Sequence, residues 1–310
     1  MMKKFYSRLL CFIFIAALLL AFVDYLSIYG NVSKSYIEKL TRSEEYDQWS
    51  DGIEEIVPAI HLAQTEDGTT KLILGDSVCR QMINGLQEQN PDFKILGTNA
   101  AISVAGQYIL AKEYLDYHSD ATDVYLVLMP RSMGKTYDNS LGYPYAVMPF
   151  SMTDTLDDLD EDTIKTIRKT YGGLFVNKKA VEWIHQSALN KKIYFNFIEQ
   201  TPLEYKPSEF LELANQYIPK MAELCESKGV TFHLVPCPIT DQFEEELEGI
   251  REEYVLSPIY QIAPSFIDDA IHFPSEQTSD GIHFTGEYEN QEYYNTFLEQ
   301  MWPDESLVIE

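Results

Sequence analysis

Apolar positions along this chain follow three different patterns. In the first, residues 9–23 form an uninterrupted apolar run, LLCFIFIAALLLAFV, preceded by Lys3, Lys4 and Arg8. Asp24 interrupts it, and Tyr25, Leu26, Ile28 and Tyr29 follow. Fifteen residues fall short of the roughly 20 that cross a bilayer. Aromatic residues sit well at an interface, so the flanks extend the stretch to a span. The basic residues place the N-terminal end in the cytoplasm. No small-x-small cleavage site follows the apolar core, so residues 1–30 read as an uncleaved anchor, with a cleaved signal peptide as the rival. Either reading puts the rest of the chain outside the cytoplasm.

The second pattern, residues 31–69, is polar and mixed. Residues 36–46 have the charge and periodicity of a stalk-like helix within a linker, and Asp67-Gly68-Thr69-Thr70 reads as a turn. The third pattern alternates short apolar runs with amphipathic stretches over residues 70–303, leaving 304–310 as a tail. The runs are 71–74 (KLIL), 93–96 (FKIL), 123–129 (DVYLVLM) and 231–235 (TFHLV), each ending at Gly or Pro. Such ends suit buried strands. Helices are predicted over 105–117, over 210–228 and over 286–301. The second closes at Gly229 and carries a kink or break at Pro219; the third opens with acids at 287 and 289. Strands alternating with helices predict an α/β domain with a parallel sheet covered on both faces.

Residues 136–208 break the rhythm, because some seventy residues separate the third and fourth strands. The stretch is dense in Tyr, Phe and Trp and contains the acid run 157–162, a solvated helix start. It reads as an insertion folding over the C-terminal edge of the sheet. Its aromatics would form either a sugar-stacking wall or the insertion's own small core.

Charge narrows the function classes. Lys and Arg number 23 against 49 Asp and Glu, for a net charge of −26, a field that repels nucleic-acid backbones. Of four cysteines, Cys11 lies in the anchor, leaving Cys79, Cys225 and Cys237. Buried free thiols are the expectation, with a Cys225–Cys237 bridge as the alternative in an oxidising compartment. No spacing of Cys and His points to a metal, and no cofactor is expected.

Two short motifs carry chemistry. The first strand runs into Gly75-Asp76-Ser77 and then an apolar-periodic stretch. This strand, turn and helix would expose Ser77 at the carboxyl end of the sheet, with its own backbone N–H facing an oxyanion. Near the end of the chain, Asp280-Gly281-Ile282-His283 can bend so that the carboxylate meets one imidazole nitrogen and frees the other to accept the Ser77 proton. Singly, the first is a turn and the second a helix cap beside a structural His. The remaining histidines, His61, His118, His185, His233 and His272, lack acids at useful spacing and read as structural.

In order and context, Leu74-Gly75-Asp76-Ser77 and Asp280-Gly281-Ile282-His283-Phe284 resemble the SGNH, or GDSL, hydrolase superfamily over about residues 70–300 without the insertion. The resemblance implies a flavodoxin-like three-layer sandwich and an acyl-serine mechanism with Ser77, Asp280 and His283 as triad. It also implies oxyanion donors from two further blocks, and there the chain departs. After the second strand Asn99, Ser103 and Gly106 are rival donors beside the Ser77 N–H. After the third strand, Met129-Pro130-Arg131-Ser132 holds no Asn. Arg131 would face the active edge and either bind a substrate carboxylate or form a surface ion pair.

An anchor, a missing third-block Asn and a large insertion are similar to the acyltransferase-like branch of cell-envelope polymer acylation. That likeness implies an acylated polysaccharide or small acyl ester as substrate and a multi-pass membrane O-acyltransferase as partner. Esterase and O-acyltransferase remain open. So do a non-catalytic polysaccharide-binding scaffold and a plain secreted ester hydrolase.

Overall fold

The computed structural model describes residues 2–30, 44–83, 90–98, 102–134, 136–137, 142–195, 211–278, 280–285, 296–299 and 301. Helix α1 (Met2–Tyr29) continues past Asp24. Within its segment Lys4–Tyr29, of 26 residues, an 18-residue stretch has a mean hydropathy of 2.6 and is not buried by the rest of the protein. At 1.5 Å per residue it is about 39 Å long, more than a hydrocarbon core requires.

Helix α2 (Glu44–Ala63) occupies much of the stretch expected to be stalk and linker. Ile53, Ile56, Ala59, Ile60 and Ala63 are buried along it. This three-to-four-residue spacing is easily overlooked among the acids, and it makes α2 part of the domain. Each buried Ile contributes about 1.5–3 kcal/mol from burial, so the domain begins well before residue 70.

The sheet consists of β1 (Lys71–Gly75), β2 (Phe93–Ile95), β3 (Asp123–Leu128) and β4 (Thr231–Pro236). Its order is β2-β1-β3-β4 and every pairing is parallel. Leu72, Ile73 and Leu74 are fully buried, as is Val124-Leu126-Val127 with Tyr125 nearly so; both faces are covered, which is why these runs do not alternate. Two residues past β4, β5 (Ile239–Thr240) pairs in parallel with β6 (His272–Phe273). The pair forms a second, two-stranded sheet.

Helix α3 (Ser77–Met82) connects β1 towards β2, while α4 (Val104–Tyr117) leads from β2 back to β3. Right-handed crossovers running in opposite directions lie on opposite faces. The later helix α9 (Glu212–Ser227) packs on α4, with Tyr108 and Tyr217 ring centroids 5.4 Å apart. Pro219 sits inside α9 without breaking it.

The insertion is helical: a π-helical turn at Tyr143–Val147, then α5 (Met148–Met152), α6 (Glu161–Tyr171), α7 (Lys178–His185) and α8 (Ala188–Phe195). It packs against α2 and against the α4–α9 layer, and Phe150 reaches the start of α4. Tyr137, Tyr143, Tyr145, Phe150 and Tyr171 are buried, so these aromatics form core. Asp160 caps α6 through the Thr163 N–H and also accepts from Tyr217, Gln216 and Lys220 of α9, fastening insertion to domain. Most of the predicted helix over 286–301 lies outside the described residues.

All four cysteines are free, and Cys79, Cys225 and Cys237 are buried. Burial pushes the Cys225 thiol up to about 12.

Candidate active site

Asp76 ties three strand ends together. Its Oδ1 accepts the N–H groups of Val78 and Cys79, both at 3.1 Å, which caps α3. Its Oδ2 accepts the Met129 N–H at 2.9 Å and the Ser132 hydroxyl at 2.6 Å, both just past β3. Cys237, just past β4, brings its Sγ to 3.7 Å of Oδ1. A carboxylate that is 1% exposed therefore gathers donors from three segments. Gly75 makes the approach feasible: a Cβ there would lie 2.4 Å from the Val127 carbonyl oxygen and from the Cys79 side chain. Gln107 of α4 donates to the Gly75 carbonyl at 3.0 Å.

The result places Ser77 as the first residue of α3 at the carboxyl edge of the sheet. Asp76 takes the N–H groups of Val78 and Cys79, while the Ser77 N–H has no acceptor among the described residues. Burial, then the Asp76 charge, pushes the neighbouring Cys79 thiol well above its ordinary value, so it is no rival nucleophile.

A second turn arrives from the other end of the chain. Gly281 adopts φ +82°, which only Gly takes without strain. Its N–H donates to Thr278 Oγ1 at 2.9 Å, and its carbonyl accepts from Thr240 Oγ1 at 2.9 Å and from Gln242 Nε2. Asp280 Oδ1 accepts the N–H of Ile282 at 3.0 Å and of His283 at 2.8 Å. Gln81 of α3 then clamps Phe284 in both directions. Its Nε2 donates to the Phe284 carbonyl at 2.8 Å and its Oε1 accepts the Phe284 N–H at 3.0 Å. Phe284 stacks on Phe273 with centroids 4.2 Å apart.

These contacts bring His283 to Ser77 across 206 positions of sequence. His283 Nε2 lies 2.8 Å from Ser77 Oγ, and its Nδ1 lies 2.7 Å from Asp280 Oδ2. The carboxylate holds the proton on Nδ1, so Nε2 is the acceptor for the Ser77 hydroxyl. Partial desolvation pushes the Asp280 carboxyl up. The His283 backbone and ring N–H groups and the Ile282 N–H outweigh it and hold the group at about 2. Asp280 is thus ionised at neutral pH, and can stabilise an imidazolium.

Ser77, Asp280 and His283 are together, while Gly106, Ser103 and Arg131 are engaged by other partners. Gly106 lies in the first turn of α4, where its N–H donates to Ser103 Oγ at 3.3 Å. A Cβ on it would come within 2.6 Å of Ile102 and 3.0 Å of the Phe150 ring. It is a packing glycine with a committed N–H, which removes it as an oxyanion donor. Ser103 is equally spent, as the N-cap of α4. Asn99 lies outside the described residues. Arg131 is held by α10 (Glu244–Leu256) and the residue before it: the guanidinium lies 4.1 Å over the Phe243 ring, with Nε 3.5 Å from Glu246. The surface ion pair replaces the substrate carboxylate.

Two histidines thought to lack acids have them through the fold, His118 with Asp67 at 3.4 Å and His233 with Asp123 at 2.9 Å. Both acids stand at the amino-terminal ends of strands, on the far edge from Ser77. Among the described residues, no group of three His, Cys, Asp or Glu could hold a metal ion.

Sequence reading missed Asp76 as an organiser, and missed Gln81, Thr240 and Gln242 altogether. Gln81 carries no local signal, because its partner is 203 residues away. No protein-family model, curated protein or solved structure matches this chain.

Proposed function

We propose that this chain is an extracytoplasmic serine-dependent acyl-transfer enzyme of the SGNH/GDSL type, held at the membrane by α1. One observation carries the reading: the continuous relay from Ser77 Oγ through His283 to Asp280, at 2.8 and 2.7 Å. Ser77 Oγ attacks the carbonyl carbon of an acyl ester while its proton passes to His283 Nε2. The oxyanion forms beside the Ser77 N–H. Collapse of the tetrahedral intermediate breaks the bond to the alcohol, which leaves with the proton from Nε2, and the acyl group stays on Ser77. A water or sugar hydroxyl then gives its proton to Nε2 and takes the acyl group. Water makes the protein an esterase, and a sugar hydroxyl makes it an O-acyltransferase.

The substrate in this reading is an acylated cell-envelope polysaccharide or a small acyl ester, with a multi-pass membrane O-acyltransferase as partner. A scaffold that binds polysaccharide without catalysis is the second reading. It is favoured by the Ser132 hydroxyl, which stands in the segment where an oxyanion Asn is expected yet donates to Asp76. A fluorophosphonate probe separates the two. Stoichiometric labelling of the full chain at neutral pH, abolished in Ser77→Ala, supports the enzyme; equal or absent labelling in both proteins rejects it.

A further inference from the structure

One segment of the insertion, past its acid run, carries a charge opposite to that of the chain. Between Thr163 and Ile193 stand seven Lys or Arg and one acid, Glu182, in a protein of net charge −26. Helix α6 buries Thr163, Ile167 and Tyr171, which leaves Arg168 and Lys169 exposed on its other side. Helix α7 buries Val181 and Ile184 and presents Lys179 and Trp183, four residues apart on one exposed face. Between the two helices the loop Gly172-Gly173-Leu174 leaves Leu174 70% exposed. Its place in the fold gives this basic, apolar surface a meaning. Trp183 Nε1 donates to Asp24 Oδ2 at 2.9 Å, and α8 packs against α1.

Asp24 ends the apolar run of α1, and its carboxylate belongs at the boundary of the hydrocarbon. Tyr25 and Tyr29 follow with rings 5.1 Å apart, as aromatics do at the headgroup level. Trp183 touches Asp24 and so stands at that level too, with Lys179 one turn before it on α7 and Leu174 in the loop that precedes α7.

We propose that the surface formed by Arg168, Lys169, Leu174, Lys179 and Trp183 is a membrane-docking face that binds anionic lipid headgroups of the leaflet in which α1 ends. The apolar Leu174 and Trp183 enter the interfacial zone, and the cations meet headgroup phosphates. Docking would hold the domain against the membrane in one orientation, so Ser77 would work at a set height above the lipid. The inference rests on α1 lying in the membrane and is independent of the chemistry at Ser77.

Trp183 is one of three tryptophans, with Trp49 and Trp302, so its emission is isolated by comparison with Trp183→Phe. The full chain is placed in nanodiscs of phosphatidylcholine alone or with roughly 30% phosphatidylglycerol, each containing lipid brominated near the headgroup. The expected result is quenching of the Trp183 emission by roughly twofold in anionic discs, less in neutral discs and at high salt. Arg168→Glu with Lys179→Glu should remove the dependence on phosphatidylglycerol, and Leu174→Asp should weaken quenching in both discs. Far-UV circular dichroism and the melting temperature should be unchanged in each variant, which shows the fold intact. Equal quenching of wild type and Trp183→Phe would overturn the proposal, as would quenching indifferent to phosphatidylglycerol. Release of the quenching by an added soluble polyanion at constant ionic strength would assign the face to an anionic polymer instead. Failure of the chain to remain with the discs would remove α1 as anchor, and the proposal with it.

Discussion

Asp76→Asn alters one polar atom at the point where the ends of β1 and β3 meet the start of α3. In the native protein Oδ1 takes two α3 N–H groups, and Oδ2 takes the Met129 N–H and the Ser132 hydroxyl. In Asn, one oxygen becomes an NH2. If Oδ1 keeps the helix cap, the new amide points at the Met129 N–H, donor against donor, and Ser132 must rotate to accept. A buried N–H left without an acceptor costs about 1–3 kcal/mol, and each remaining bond loses the part of its strength that came from the charge. The flipped amide relieves Met129 but uncaps α3, at about 0.5–2 kcal/mol, so neither rotamer escapes. A net loss on the order of 3 kcal/mol is expected, which at about 2–4 °C per kcal/mol lowers the melting temperature by about 6–12 °C. Ser132→Ala removes one donor and leaves the carboxylate, so about 1 kcal/mol is expected there. Thermal melting of the full chain, with fluorophosphonate labelling well below the midpoint, measures both consequences. Labelling should slow by roughly tenfold to a hundredfold, since the turn carrying Ser77 loosens. A melting shift under about 2 °C, or equal shifts in Asp76→Asn and Ser132→Ala, would refute the claim that this carboxylate organises the edge.

Gln81→Ala removes both bonds to Phe284 and frees the turn that carries His283. It should slow Ser77 labelling by about tenfold or more while costing only about 1–2 kcal/mol in urea unfolding; a rate equal to wild type would make the clamp purely structural. Asp280→Asn should lower labelling by up to about 10⁴-fold at neutral pH, because the Nδ1 proton loses its acceptor. Asp280 and Asp67 are both held at about 2, the first by His283 and Ile282 against partial desolvation, the second by Lys94 and Thr69 against the same. Their folded values lie below the unfolded value of about 3.9, so their stabilisation is full above it and is lost as pH falls towards 2. Melting measured from pH 6 to 2 should therefore show the gap between wild type and Asp280→Asn closing over that window; a gap independent of pH counts against the assignment. Gly106→Ala should destabilise by about 1–3 kcal/mol despite the better helix propensity of Ala, because its Cβ meets Ile102 and the Phe150 ring. Labelling of Ser77 in that variant should be unchanged, since the Gly106 N–H is already given to Ser103.

Much of the frame was legible in local pattern. Strand runs such as 71–74 and 123–129 are short, branched and apolar past their first residue because both faces of a parallel sheet are buried. The N-terminal helix was legible because an apolar run of this length needs no tertiary partner to be recognised. Helix α2 was less so: its apolar positions are spaced for one face, yet its acids and Pro58 lower the contrast. The insertion was placed in the right interval of chain, but whether its aromatics form a wall or a core was not legible there. Aromatic density measures how much apolar area must be covered and carries no address.

By itself, then, the sequence determined the alternation of elements, the apolar N-terminal helix, and the three residue types that a serine relay needs, at Ser77, Asp280 and His283. Those are properties of neighbours a few positions apart: side-chain period, a turn-forming Gly, an Asp three residues before a His. Only the tertiary structure decided that the relay closes. It does so through Asp76 joining the ends of three strands, Gln81 gripping Phe284, and Thr240 and Gln242 holding the Gly281 carbonyl. It also decided that Gly106 packs and Arg131 pairs with Glu246. A donor or carboxylate keeps the same local signature whichever partner it meets. The choice between site and scaffold is made by burial, where each polar group must find the acceptor that the fold brings within 3 Å.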